Sequence, residues 1–166
     1  MGFLAASPLS AEPIETVKYE YYEVHGLTAK EIRENMNQHH KRAHGFGNHD
    51  ANTLSNVNWR GGNPPTVTIV ITFQMPKWVD YAKGPRDLQE TWQRFEKNLQ
   101  VHEDGHKQIN EECARAVEQR ILSEGPKPGR RFKHDVDEIF TLYSRKQIAY
   151  DKETQHGRTQ GAVFNG

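Results

Sequence analysis

What this chain lacks narrows what it can be. It has no net charge, because 22 lysines and arginines balance 22 aspartates and glutamates. That removes the broad basic footprint of a protein that grips nucleic acid through its phosphates, so no nucleic-acid partner is expected. No apolar run approaches the ~18–20 residues that a bilayer crossing requires, so no membrane span is expected either. Cys113 is the only cysteine, which excludes an intrachain disulfide and leaves the redox compartment open. Hydrophobic residues make up just 34% of the chain and the mean hydropathy is −0.91, which implies a wet surface and a modest core. Disorder is not the consequence, since 10% of residues are aromatic and the second half shows helical periodicity.

The 166 residues suit one domain of the usual ~100–200. Residues 2–11 are uncharged and rich in small side chains, like the tail of a signal peptide cut after Ala11, although the basic start and most of the apolar stretch are missing. The expectation is a signal remnant or disordered tail over 1–11, a single domain over 12–166, and a periplasmic or secreted location.

Strand and helix signals then alternate. Val17 to Val24 is β-branched and aromatic and predicts a strand. Thr28 and Glu31 form a capping box for a helix over Ala29–Gln38. His39 to Asn52 is polar and contains glycines, which predicts a loop whose histidines (His39, His40, His44, His49) are solvated. Leu54 to Arg60 and the alternating Thr66 to Phe73 predict a hairpin about the turn at 61–65. Everything after Pro85 is helical in pattern. The expected class is α+β: a small, largely antiparallel sheet followed by a long helix and an antiparallel partner helix.

The long helix carries the chemistry. Its apolar stripe runs Leu88, Trp92, Phe95, Leu99, then Ile109, Cys113 and Ala116, and the same stepping through the gap lands on His102 and His106. These belong to an HExxH segment, His102-Glu103-Asp104-Gly105-His106. Residues four apart share a helix face, so both imidazoles can reach one Zn²⁺, and Glu103 is offset to meet a water beside the metal as general base and then acid. HExxH is short and arises by chance, and buried histidines can be hydrogen-bonded core residues. Three features favour a metal: a clear helix, inward-facing histidines, and Gly105 inside the helix despite its cost of ~1 kcal/mol. The glycine suggests that another backbone or a substrate passes close by.

The third ligand must come from elsewhere. The metzincin pattern needs glycine at 109 and histidine at 112, where this chain has Ile109 and Glu112. A second helix over Phe132 to Tyr150 should lie antiparallel to the first, with facing residue numbers summing to about 256. Glu138 then falls about 18 Å from His106, and Asp135 and Asp137 fall further still. Tyr150 and Thr154 should face His106 and His102 instead. His156 is the expected third ligand, with Glu153 as the acidic alternative. Asp151 is expected to orient a ligand histidine, and Tyr150 to stabilise an oxyanion or ligate the metal.

Several landmarks carry a resemblance: Tyr21, Tyr22, Val24, Gly26 and Thr28; Trp59; Pro76 and Trp78; Trp92 and Phe95; the HExxH; and a closing block with Tyr150, Asp151, Thr154, His156, Gly157, Gln160, Gly161 and Ala162. Over residues 18 to 164 the chain resembles the bacterial secreted zinc-dependent protease family catalogued as domain of unknown function 922, although the segment after Gln38 departs from it in composition. The resemblance implies an exported protein and a peptidase. The expected function is thus a zinc metallopeptidase of the cell envelope acting on a peptide or protein. The alternatives are a non-catalytic envelope protein that binds a partner, its metal structural or vestigial, and a zinc hydrolase of peptidoglycan peptides.

Overall fold

The computed structural model describes residues 12–42, 49–62, 65–124, 129 and 131–166. The expectations for residues 1–11 and for His44 lie outside them. The order of elements is β1 (Ile14–Val24), α1 (Ala29–Arg42), β2 (Asn52–Arg60), β3 (Thr66–Trp78), α2 (Arg86–Glu124) and α3 (Phe132–Thr154), with single 3₁₀ turns at Tyr81–Lys83 and Arg158–Gln160.

The class is mixed α and β, as expected, but the sheet is not largely antiparallel. Its order is β1-β3-β2, with β2 antiparallel to β3 and β1 parallel to it. The hairpin forms as its turn signals indicate, pairing Thr53 with Phe73 and Val57 with Ile69. β1 runs parallel because α1 and β2 intervene and carry the chain back before β3 begins. The α1 capping box is present: Glu31 Oε2 accepts from the Leu27 and Thr28 amides at 2.8 and 3.1 Å, and the Glu31 amide donates to Thr28 Oγ1 at 3.2 Å. The helix runs on to Arg42, so His39 and His40 belong to its last turn and not to a loop. β3 continues through Pro76, which falls beyond the last β2 pair, where one side of the strand has no partner to lose.

β3 explains the core. Val67, Ile69, Ile71, Phe73 and Met75 alternate onto one buried face. Against it lies α2, whose 39 residues (about 58 Å at 1.5 Å per residue) offer Trp92, Phe95, Leu99, Val117 and Ile121. Phe164 from the chain's end closes one side, its ring 5.4 Å from those of Trp92 and Phe95. α2 and α3 pack antiparallel, as the facing pairs show: Arg120 with Asp135 at 2.6 Å, Lys146 with Glu112 at 3.2 Å, and Gln147 with Asn110 at 3.0 Å. This packing carries the residues at the end of α3 to the HExxH turn.

Candidate metal centre

His102 and His106 face inward from α2 as their place in the stripe requires; His102 is 4% exposed. Their Nε2 atoms lie 3.3 Å apart. Asp151, in the last turn of α3, puts Oδ1 at 3.4 Å from His102 Nε2 and 3.1 Å from His106 Nε2. Three ligand atoms at 2.0–2.1 Å from a tetrahedral zinc would stand about 3.3–3.4 Å apart, so this triangle has the size of one face of such a site.

The remaining ring nitrogens decide how the imidazoles present themselves. His106 Nδ1 contacts Gln147 Oε1 at 2.5 Å, and His102 Nδ1 contacts Gln160 Oε1 at 3.0 Å. Both amides are oriented by their other ends. Gln147 Nε2 donates to the His106 carbonyl and to Asn110 Oδ1, and Gln160 Nε2 donates to the Tyr150 hydroxyl. Each Nδ1 therefore carries the proton and each Nε2 turns a lone pair toward the other and toward a carboxylate oxygen. Three electron-rich atoms at this range need a cation among them, and an imidazole held at Nδ1 by an outer acceptor is the usual arrangement of a metal ligand. In the metal-free protein a proton takes that role. Burial opposes charge on Asp151, but bonds to His102 and His106 outweigh it and hold the carboxyl far below the ordinary range. Burial likewise opposes charge on His106, and the bonds to Asp151 and Gln147 prevail, raising its pKa.

His156, expected as the third ligand, lies outside this triangle. Its Nδ1 is 3.3 Å from Asp151 Oδ1 and its side chain is 56% exposed. The reason is local: α3 stops at Thr154, and Gln155 and His156 take left-handed backbone angles (φ 51° and 54°) that swing the chain off the helical path. Gly157 (φ 81°) continues the turn, and a Cβ there would press on Ala162 and the His102 ring. Glu153 is exposed and not part of the cluster.

Tyr150 does face His102 and His106, with ring centroids at 5.2 and 5.0 Å. Its hydroxyl, however, donates to the His102 carbonyl at 3.2 Å and accepts from Gln160 at 2.9 Å. The phenol is thus committed to the back of the site, where it supports the His102 ring. It also explains Gly105, whose missing Cβ leaves room for the Tyr150 hydroxyl and Cζ, so the close neighbour is a side chain and not a backbone or substrate.

Glu103 is 3% exposed. Its Oε2 accepts from Thr53 Oγ1 of β2 at 2.6 Å. Burial raises its pKa, while the Thr53 bond and the two imidazoles pull it back. Glu103 and the His102–His106–Asp151 cluster share a cleft of about 510 Å³ between β2, α2 and α3. Of the histidines expected to be solvated, His40 is buried with Nε2 3.6 Å from Asp50 Oδ1, and His39 stacks on Tyr22 at 3.9 Å. His49 is exposed but borders the cleft, 4.6 Å from the His156 ring. Thr53, Gln147 and Gln160 are the supporting residues that periodicity did not single out, since their partners lie 41 to 58 residues away.

A mixed α/β chain whose HExxH helix supplies two histidines, and its antiparallel partner the aspartate, of one compact cluster is the class this geometry defines. The family described as "Bacterial protein of unknown function (DUF922)" matches residues 19–157, and the chain belongs to it. No curated protein and no solved structure matches the chain.

Proposed function

We propose that the protein is a zinc-dependent peptidase in which His102, His106 and Asp151 hold the metal and Glu103 moves the proton. The observation that carries this reading is the triangle of two Nε2 atoms and one Oδ1 with edges of 3.1–3.4 Å, both imidazoles being locked at Nδ1 by glutamines. Zinc, when bound, supplies a Lewis acid that polarises a peptide carbonyl and acidifies water. Glu103 accepts a proton from the water whose oxygen bonds to the carbonyl carbon, then delivers it to the amide nitrogen as the C–N bond breaks. Its environment suits both steps, because burial favours the acid while Thr53 and the imidazoles favour the carboxylate. Glu103 and all three cluster residues line the same cleft of about 510 Å³.

The test is metal content and peptide hydrolysis for wild type and Glu103→Gln. One zinc per chain in both, with hydrolysis in wild type alone, supports the reading. Metal-free protein, or equal activity in the two, overturns it.

A further inference from the structure

β2 is an edge strand: among the described residues no strand pairs with its far side. Such an edge presents a row of backbone N–H and C=O groups to any extended chain that can reach them. Side chains alternate across a strand, so a cavity lying over one face is lined by every second residue. The metal cleft is lined instead by consecutive residues, Asn52, Thr53, Leu54 and Ser55. A second cavity of about 340 Å³ takes up the next stretch, Ser55, Asn56, Val57 and Asn58. Lining by neighbours from both faces means that the cavities follow the edge of the strand. They form one trough, since Ser55, Asn110, Ser144 and Gln147 border both.

We propose that this trough binds an extended, uncharged polypeptide segment as an added strand on β2, a step that rests on the peptidase reading and names its substrate class. Among the described residues the far cavity has no charged side chain on its lining, so it offers no charged partner to an acidic or basic ligand. Asn56, Asn58 and Ser144 supply hydrogen-bonding groups for main chain and short polar side chains, and Phe140 and Tyr143 supply ring surface. The trough is also continuous with the chemistry: Thr53 holds Glu103, and Asn58 lies five positions further along β2. That distance is about 17 Å of strand, enough for roughly five substrate residues on this side of the cleaved bond.

The experiment is an NMR titration of zinc-loaded Glu103→Gln protein with a capped ten-residue peptide of alternating alanine and threonine. A second peptide is N-methylated at every nitrogen, because adjacent N–H groups point to opposite edges and both edges must be blocked. Backbone amides at 53–58 should shift with the first peptide, and N-methylation should weaken binding at least tenfold. Asn56→Pro and Val57→Pro form a matched pair, because of two adjacent N–H groups one points to β3 and the other to the trough. The variant that keeps its fold should lose binding tenfold, and if neither folds the N-methylated peptide decides. No shifts at millimolar peptide, shifts away from β2, or binding indifferent to N-methylation overturn the proposal. A protein that binds peptide along β2 but never cleaves it overturns the peptidase reading alone; cleavage without β2 shifts overturns the track alone.

Discussion

Replacing Gly105 with alanine tests how the His102–His106–Asp151 cluster is held from behind. Intrinsic helix propensity favours the change by about 1 kcal/mol. Tertiary structure opposes it, because the new Cβ would overlap the Tyr150 hydroxyl and Cζ. Tyr150 cannot retreat freely: its hydroxyl bonds the His102 carbonyl and Gln160, and its ring stacks on His102 at 12° between planes. Breaking two hydrogen bonds costs about 1 kcal/mol each, and overpacking about 1–3 more, so the net loss is about 2–4 kcal/mol. Displacing Tyr150 also frees Gln160 from its anchor, which should weaken zinc binding by about ten- to a hundredfold. Urea unfolding of the metal-free protein reads the first effect and a zinc competition titration the second. In a Tyr150→Ala background the same substitution should be neutral or stabilising by up to about 1 kcal/mol, since the obstacle is gone. A Gly105→Ala protein that is more stable than wild type and binds zinc as tightly would refute the reasoning.

Four further outcomes are expected. Gln147→Leu and Gln160→Leu each leave an imidazole Nδ1–H without its acceptor; zinc affinity should fall about ten- to a hundredfold in a competition assay. Asp151→Asn should weaken zinc binding far more than His156→Ala, because Asp151 is a corner of the compact triangle and His156 only borders it; equal losses would return His156 to the ligand set. Zinc at a thousand times its Kd should stabilise the wild type by about 4 kcal/mol in thermal melts, and His106→Ala should abolish the effect. Because the His106 pKa is raised, that stabilisation should shrink as pH falls, starting above the range of an ordinary histidine, a proton competing for the metal's place. Burial pushes the Cys113 thiol up to about 11 from 9.0. The thiolate is therefore more easily formed in the unfolded chain; the resulting stability is complete below pH 9, is lost as pH rises toward 11, and amounts to about 2–3 kcal/mol. Urea unfolding against pH should show a steeper alkaline decline for wild type than for Cys113→Ala.

What could be read from the sequence was whatever depends on local periodicity. The stripe from Leu88 to Ala116 placed His102 and His106 correctly because a helix repeats with a fixed rise and turn. The same regularity carried across to α3, and Thr154 Oγ1 does lie 3.5 Å from His102 Nδ1. The reasoning weakened where regular rise ends. Past Thr154 the backbone turns left-handed, and a count in helical steps no longer says where His156 goes. Parallel pairing of β1 was out of reach for a related reason: strand residues announce that they are strands, while direction depends on a partner more than forty residues away. His40 fell outside the reading because its burial comes from Asp50 and Tyr22, which no spacing rule connects to it.

That Asp151, and not His156, meets both Nε2 atoms has an electrostatic logic. A dication held there by two neutral imidazoles and one carboxylate, with an ionised Glu103 beside it, would give a buried cluster of zero net charge. Without the metal, two carboxyl groups face the same pair of imidazoles, and their environments drive them apart: Asp151 far down, Glu103 up. Two acids separated in this way take different work. The acid whose pKa is lowered is suited to hold a cation; the other, 3% exposed and bonded to Thr53, is suited to take and return a proton. Thr53 belongs to the same strand edge that borders the trough, so the residue that tunes Glu103 is also the one past which an added strand would run.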